Sequence, residues 1–460
     1  MQNPVHLKIR FAISIFFFMH VCSLTEAQEN VEIISKGDLD FLKQMTKAII
    51  DSARIAPGQT ISSSFGPNNA GMTLIRPGGR EAYPSFWIRD YAMSVETGFI
   101  SLEEQKQLLL LTARTQSDKT WKTKKGGLIP KGSIADHIRI DNLKPIFFPG
   151  TYDENEQGDG RFGYAPPICD QYFFIQMAYF YLKQSKNTKI LLDYVNHIPL
   201  ITRLQNAFEV PPSHKENEIV YTTNSTRAVD FGFRDAIIIT GDLCMSSILK
   251  YNAAKQLAFC YRMLNDKTKA DKYLRVADKL KKSIPVLFQM KNGMLMASTG
   301  KSNQPDVWAT ALAIHLNILE KHNAKKASVV LNDAYSKGNL TYNGNIRHVP
   351  TTEDFNTQTM WEISLAEKNT YQNGAYWGTP VGWVCSAIFK TNPRNAMKLA
   401  SEYISDLREH DFRKGGDEGA PYECINDNGY KQNPLYMTSV ASPFIVFNNW
   451  HFIHQQKKSK

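Results

Sequence analysis

The chain has 460 residues, of which 42% are hydrophobic and 21% are charged. This composition is that of a folded globular protein, and it excludes a collagen-like, a coiled-coil and an intrinsically disordered chain. The net charge of +10 is a modest excess for this length, and no zinc-finger spacing, basic zipper or RNA-binding aromatic motif accompanies it. We therefore expect no nucleic-acid partner.

The first 27 residues predict a cleavable signal peptide, because a basic leader precedes an apolar run over residues 11–22. A dozen apolar residues are too few to cross a bilayer of about 30 Å as a helix, and no later segment is long enough for a membrane span. We expect a secreted or periplasmic protein in which residues 28–460 form a single domain.

Helical periodicity recurs along this domain, with little convincing strand. A Ser-x-x-Glu capping box at Ser101–Glu104 and an Asn-Pro cap at Asn392 mark two helix starts. Besides a short helix after Trp87, the predicted helices cover residues 41–49, 101–112, 170–184, 189–207, 249–264, 270–284, 308–319, 327–335, 393–407 and 438–452.

Long loops separate these helices and contain 20 of the 44 Asp and Glu residues. They cover residues 56–86, 116–168, 208–235, 287–305, 337–359 and 410–437. Long loops inside one domain are usually functional. We predict an all-α fold, an (α/α)6 toroid with long functional loops gathered at one end.

A Trp-x-Arg-Asp motif lies at Trp87, Arg89 and Asp90. The indole offers a flat face to a sugar ring, and the charged pair offers strong hydrogen bonds to vicinal hydroxyls. An Arg–Asp pair capping a helix beside a core Trp would explain the composition equally well. The motif resembles that of the six-hairpin glycosidases, which include glucoamylase, neutral trehalase and the processing α-glucosidases. The resemblance implies that Arg89 and Asp90 grip the terminal sugar and that all three residues line the −1 subsite.

Residues 371–378 form a second aromatic stretch, Tyr-Gln-Asn-Gly-Ala-Tyr-Trp-Gly. A turn packed on a helix start would account for it in structural terms. The resembled families carry a similar stretch before their tenth helix, where it lines the sugar pocket. The resemblance therefore implies that Asn373 hydrogen-bonds hydroxyls and that Tyr376 and Trp377 stack on sugar rings.

Three carboxylates crowd residues 417–423, just before the last predicted helix. Like charges this close raise at least one pKa, which suits acid–base catalysis near neutral pH, although a solvated acidic loop is the alternative. The resembled families place their catalytic base in this loop. The resemblance implies Glu423 as the base, with Glu418 as the second choice and an expected substrate contact.

The catalytic acid of the resembled families lies in the loop that contains residues 227–235 here. Asp230 has apolar neighbours, which would favour its protonated form, so we predict Asp230 as the acid. Asp235 is more easily explained as a helix cap. Asp306 is a natural cap for the helix after it, and we also expect it to contact substrate at the loop end.

The resemblance implies a secreted exo-acting glycoside hydrolase that releases a terminal sugar from an oligosaccharide or polysaccharide, with inversion. The sequence contains no HExxH or comparable metal set, and we expect neither a metal ion nor a cofactor. Two alternatives remain open. One is a non-catalytic glycan-binding protein of a carbohydrate-uptake system, and the other is an unsaturated-glucuronide hydrolase or polysaccharide lyase on the same toroid.

Overall fold

The computed structural model describes residues 32–78, 82–416 and 418–458, with side chains as far as residue 450. The predicted signal peptide lies outside the described residues. Residues from Glu32 onward form one unit. The described part contains twelve α-helices: α1 Lys36–Ala53, α2 Ile88–Ser94, α3 Leu102–Thr115, α4 Ile168–Ser185, α5 Leu200–Glu209, α6 Cys244–Met263, α7 Lys267–Phe288, α8 Val307–His315, α9 Lys321–Ser336, α10 Val381–Phe389, α11 Pro393–Glu409 and α12 Met437–Lys458.

The even-numbered helices form an inner layer. Helices α2, α4, α6, α8, α10 and α12 contact one another in this order, and α12 also contacts α2, so the six helices close a ring. The odd-numbered helices pack outside it, with α1 on α12, α3 on α4, α5 between α4 and α6, α7 on α6, and α9 and α11 on α10. This confirms the predicted all-α fold and is the contact pattern expected of the toroid.

The hydrophobic pattern of each helix explains its layer. The inner helices α8 and α10 are apolar on all sides and bury nearly every residue. The outer helix α7 buries only one stripe, which contains Ala270, Tyr273, Ala277, Leu280 and Ile284. A helix that is hydrophobic all round is stable only when protein surrounds it, whereas an amphipathic helix leaves its polar face to water.

The caps predicted from the sequence are confirmed at two helices. Ser101 and Glu104 form the reciprocal capping box of α3. The side chain of Asn392 accepts a hydrogen bond from the backbone of Asn395 at 3.1 Å and caps α11. The prediction of a helix over residues 189–207 is wrong in its first half.

A 3-10 turn, Thr188–Leu192, and then a hairpin replace the first half of that predicted helix. Asn196 and His197 both adopt positive φ angles of 44° and 64°, which make the two-residue turn between strands Tyr194–Val195 and Ile198–Pro199. The helix begins only at Leu200. Two consecutive left-handed residues are incompatible with an α-helix, and the apolar periodicity does not report them.

Short strands lie in the loops and none exceeds four residues in the described part. They are β1 Arg54–Ile55, β2 Leu74–Ile75, β3 Ser85–Trp87, β4 Trp121–Lys122, β5 Leu128–Ile129, β6 His137–Arg139, β7 Pro145–Ile146, β8 Tyr194–Val195, β9 Ile198–Pro199, β10 Tyr221–Thr222, β11 Ile237–Ile238, β12 Gly241–Asp242, β13 Thr341–Tyr342, β14 Asn345–Ile346, β15 Ile363–Ser364, β16 Tyr422–Ile425 and β17 Lys431–Pro434.

Two of these small sheets position side chains at the N-terminal ends of the inner helices. In the antiparallel sheet β3-β6-β7, Trp87 lies directly opposite His137. In the β16–β17 hairpin, Cys424 pairs with Gln432, which brings Glu423 beside Asn433. Hydrogen bonds between strands hold loop residues more rigidly than a coil would, so both segments can serve as walls of a site.

The described residues include no helix that is both long enough and apolar enough to cross a membrane. Five cysteines lie in the described part, and all are buried with free thiols: Cys169, Cys244, Cys260, Cys385 and Cys424.

Candidate active site

A cavity of about 310 Å³ lies among the loops that precede the inner helices. Its volume is at the lower end of the range for small-molecule sites, roughly 300–1,000 Å³, and therefore fits one small ligand unit. The cavity is lined by Tyr83, Trp87, Arg89, Asp90, Asp136, His137, Pro149, Gly150, Thr151, Tyr152, Phe162, Gly232, Asp235, Tyr371, Glu423, Gln432 and Tyr436.

Arg89 is the centre of a buried charge network. Its Nη1 binds Asp136 directly and lies 3.4 Å from Asp170 Oδ2. Its Nε is 3.8 Å from Asp90 Oδ2, and its Nη2 is 3.8 Å from Asp235 Oδ2. Burial disfavours the ionised form of Asp136, but Arg89 and His137 together outweigh this effect and hold the pKa of Asp136 below its usual value. Burial raises the pKa of Asp170 well above its usual value.

Three carboxyl groups on the cavity wall have raised pKa values. Burial raises the pKa of Asp90 and of Asp235 to about 6, and that of Glu423 to about 7. Hydrogen bonds oppose the shift, since Tyr436 Oη donates to Asp90 Oδ1 at 2.7 Å and Gln372 Nε2 donates to Asp235 Oδ1 at 2.9 Å. All three groups therefore exchange protons near neutral pH, where acid–base catalysts are most effective.

Glu423 lies on β16 and is held by two donors. Tyr83 Oη and Asn433 Nδ2 each donate to Oε2 at 2.6 Å. Both donors use the same oxygen, which leaves Oε1 for another group. The charges of Asp90 and Asp235 contribute to the raised pKa of Glu423, so the three carboxyl groups interact across the cavity.

Asp230, the predicted acid, is not part of the cavity wall. Both of its carboxylate oxygens accept hydrogen bonds from Arg234, the closest at 2.6 Å. Arg234 also donates to Asp306 at 2.5 Å, and Asp306 caps α8. The sequence prediction placed both aspartates in contact with substrate, but a buried ion-pair triad occupies them instead. The triad fixes the 3-10 turn Gly232–Arg234, and Asp235 follows that turn on the cavity wall.

Asn373 and Trp377, predicted to bind substrate, are buried away from the cavity wall. Asn373 Oδ1 accepts from the Met360 backbone at 2.8 Å and its Nδ2 donates to the Ala366 carbonyl at 2.9 Å, so it braces a loop. Trp377 is fully buried, with its ring 5.9 Å from that of Trp308. Core aromatics and sugar platforms use the same residue types, so composition alone does not separate them.

Tyr376 and Glu418 also lie outside the cavity wall. The backbone of Tyr376 pairs with Ile425, and its ring packs 5.9 Å from that of Tyr342. The carboxylate of Glu418 is 3.0 Å from His410 Nδ1 and is partly exposed. The structure thus brings Trp87, Arg89, Asp90 and Glu423 together and separates the other predicted residues from them.

Several lining residues have no counterpart in the sequence prediction. Asp136 and His137 form an adjacent carboxylate–imidazole pair in a long loop, which is the one local pattern that suggests a site. Tyr83 and Tyr436 come from distant segments and show no motif, whereas Tyr371 opens the predicted stretch 371–378 but has no predicted role there. The described residues contain no cluster of three potential metal ligands.

The solved structures that align with this chain include three glycosidases. The glycoside hydrolase family 15 glucoamylase from Hypocrea jecorina aligns with a TM-score of 0.58 and 13% identity, over 90% of this chain and 73% of that one. A structure named "Glycosidase Wild Type" aligns with a TM-score of 0.50 and 12% identity, over 90% and 97%. The chain has a six-hairpin glycosidase-like fold.

The third aligned structure is a rhamnosidase from Klebsiella oxytoca with rhamnose bound, with a TM-score of 0.50 and 9% identity over 92% of this chain. The alignment spans 64% of the rhamnosidase's own length. No model of a known protein family and no curated protein matches the sequence. At these identities the likeness shows the fold, and the reaction has to be inferred from the site.

Proposed function

We propose that the protein is a glycoside hydrolase that removes one terminal sugar at a time from a glycan. The observation that supports this most directly is the placement of Asp235 and Glu423 on the wall of one small cavity, in a fold shared with glycosidases. Two carboxyl groups beside one sugar-sized space are the machinery of glycoside hydrolysis. A cavity of about 310 Å³ holds a single unit, which favours the trimming of chain ends.

Asp235 is the proposed acid and Glu423 the proposed base. Asp235 gives its proton to the glycosidic oxygen as the bond from the anomeric carbon to that oxygen breaks. Glu423 takes a proton from the water whose oxygen forms the new bond to the same carbon, which inverts the configuration. Asp235 replaces the predicted Asp230 because Asp230 has both oxygens bound by Arg234 and does not face the cavity.

The raised pKa values determine how often the site is ready to react. The pKa of Glu423 is about 7 and that of Asp235 is about 6, so a single shared proton resides mainly on Glu423. The productive state, with the proton on Asp235 and Glu423 ionised, is the less populated of the two arrangements. We expect a bell-shaped profile of kcat/KM, with its maximum between these two pKa values.

The charges in the cavity favour a neutral sugar. Arg89 is the one Arg or Lys among the described lining residues, and four carboxyl groups already surround it. The carboxylate of a terminal uronic acid would therefore meet like charges without a free cation to pair with. This disfavours the unsaturated-glucuronide hydrolase and the uronate lyase.

We also propose that the protein acts outside the cytoplasm. This rests on the basic leader and short apolar run of the first 27 residues. N-terminal sequencing of the exported protein should begin close to Gln28. An exported protein that retains its leader, or retention of the whole chain in the cytoplasm, would contradict this proposal.

The activity is tested by incubating the purified protein with neutral α-linked, neutral β-linked and uronic-acid oligosaccharides. We expect release of a monosaccharide from one neutral class, and proton NMR of the first product should show the inverted anomer. Binding without release, unchanged in Asp235→Asn and Glu423→Gln, would contradict the hydrolase and support the glycan-binding alternative. An unsaturated product absorbing in the ultraviolet would support a lyase.

Tyr83→Phe should shift the pH profile, because Tyr83 stabilises the ionised form of Glu423. Its hydroxyl donates to Oε2 at 2.6 Å and thereby lowers the pKa of Glu423. Removal of this donor raises that pKa, so the alkaline limb of kcat/KM moves to higher pH. The productive proton arrangement becomes rarer, and the maximum falls about tenfold.

Tyr371→Phe is the matched control for this shift. Tyr371 lines the same cavity, and its hydroxyl binds no carboxylate among the described residues. In Tyr371→Phe the alkaline limb of kcat/KM should stay at the same pH as in the wild type, even if the maximum value changes. An identical limb in wild type and Tyr83→Phe would exclude Glu423 as the group that titrates there.

Gly232→Ala should displace the Arg89 guanidinium. A Cβ at position 232 would lie 2.0 Å from Arg89 Nε and 2.1 Å from its Cδ, closer than atoms can approach. Misplacement of a positioning group by about 1 Å reduces turnover about 100-fold, and we expect such a loss in kcat/KM. Gly37→Ala, with no atom within 4 Å of the new Cβ, should leave it unchanged. Normal turnover of Gly232→Ala would show that the Arg89 position is not critical.

A further inference from the structure

His137 has a buried nitrogen without a partner. The residue is 1% exposed and lines the cavity. Its Nε2 has no hydrogen-bond partner among the described residues. An unpaired buried polar atom destabilises a fold by the full desolvation of that atom, and native proteins rarely retain one without a functional reason.

The imidazole ring is held in one orientation. His137 Nδ1 lies 2.7 Å from Asp136 Oδ2, and Asp136 is itself bound by Arg89. The Trp87 ring stacks on the imidazole at 4.4 Å with an interplanar angle of 19°, and the edge of the Tyr152 ring meets it at 5.3 Å. The ring therefore cannot turn to find another partner for Nε2.

The chemistry of Asp136 determines what Nε2 can bind. Arg89 and the hydrogen bond from His137 favour the ionised form of Asp136, and an ionised carboxylate can only accept hydrogen bonds, so Nδ1 carries the imidazole proton. In a neutral imidazole Nε2 is then an acceptor. The missing partner is a group that donates a hydrogen bond.

A sugar hydroxyl meets this requirement. It donates a hydrogen bond and carries no charge, so it can lie among the carboxyl groups of the cavity. Tyr152 belongs to the long loop between β7 and α4, outside the strands, and its ring lines the cavity beside the imidazole. Trp87 and Asp136, by contrast, are held by β-pairing and by the Arg89 ion pair.

We propose that His137 Nε2 accepts a hydrogen bond from one hydroxyl group of the sugar in the cavity and makes the enzyme selective for sugars with that hydroxyl. This inference rests on the proposed function, which supplies the sugar. A site built to bind a hydroxyl discriminates strongly against the analogue that lacks it, because its own polar atom is then left unpaired. His137 thus becomes a specificity-determining residue, separate from the proposed acid and base.

The test is a double-mutant cycle between His137→Ala and monodeoxy substrates. kcat/KM is measured for both proteins on the parent substrate and on analogues in which one hydroxyl at a time is replaced by hydrogen. We expect His137→Ala to lose about 10- to 100-fold on the parent, and to lose less than about twofold on one particular analogue. Additive losses on every analogue would overturn the proposal.

Controls separate recognition from folding. His214 offers a matched variant, since its Nε2 is 2.7 Å from Asp242 and its ring stacks on Tyr221 at 4.5 Å, outside the cavity wall. In the same cycle, His214→Ala should change kcat/KM by the same factor on the parent substrate and on every deoxy analogue. If circular dichroism shows that His137→Ala is unfolded, His137→Gln replaces it in the cycle, because glutamine keeps a hydrogen-bond acceptor.

The outcome also distinguishes this inference from the proposed function. If the wild-type protein cleaves no substrate, the hydrolase proposal has failed. The same cycle is then measured by calorimetry as binding of the parent and deoxy sugars. Losses in binding free energy that are non-additive at one hydroxyl would still support the recognition role. Additive losses at every hydroxyl, or no binding at all, would exclude it.

Discussion

Asp235→Asn is expected to lower kcat/KM by about 10²- to 10⁴-fold, the range typical for loss of a general acid. The amide cannot give a proton to the glycosidic oxygen, while the hydrogen bond to Gln372 keeps the side chain in place. The measurement is release of the sugar identified by the oligosaccharide panel. A glycosyl fluoride of the same sugar tests the role, since fluoride leaves without protonation. Asp235→Asn should retain most of its activity on the fluoride.

Asp230→Asn is the matched control, five residues away on the same loop. Asp230 and Arg234 form a buried ion pair, and breaking such a pair typically destabilises a protein by about 3–5 kcal/mol. We therefore expect a lower melting temperature and a folded fraction that still cleaves the parent substrate. A folded Asp230→Asn protein that loses the parent activity and keeps the fluoride activity would identify Asp230 as the acid after all.

Glu423→Gln is expected to lower kcat/KM by a similar factor, about 10²- to 10⁴-fold, on both the parent substrate and the fluoride. An amide cannot take the proton from the attacking water, and the nature of the leaving group does not compensate for this. The donors Tyr83 and Asn433 bind the same side chain and preserve its position. The fluoride thus separates the two carboxyl groups by role.

Two further variants test the assignment of the base. Glu418→Gln, in the same loop and away from the cavity wall, should change kcat/KM by no more than about twofold. Glu423→Ala should regain activity with azide, a small nucleophile that needs no base, and should yield the inverted glycosyl azide. Rescue with retained configuration would contradict inversion, and a large loss in Glu418→Gln would move the base to that residue.

The sequence predicted most helices of the fold well, because a 3.6-residue apolar period marks a helix within a short stretch of chain. The caps at Ser101 and Asn392 locate two helix starts within a residue, and the helices α8 and α10, apolar all round, lie inside the ring. The prediction failed where backbone geometry overrides periodicity, as at the left-handed Asn196 and His197.

The candidate site was predictable only where one short segment contains the whole pattern. Trp87, Arg89 and Asp90 are near neighbours in the chain, and their motif indicates a common site. The choice between Asp230 and Asp235 is different. It depends on Arg234, which binds Asp230, and on Gln372, which comes from a loop more than 130 residues away.

The amino-acid sequence by itself determined the helical pattern and indicated that Trp87, Arg89 and Asp90 share one site. The tertiary structure alone decided which carboxyl groups face the cavity, what raises their pKa values, and which imidazole nitrogen is left without a partner. Periodicity and capping depend on residues a few positions apart, and sequence records them. Burial, ion pairing and pKa depend on groups that come together only when the ring of helices closes.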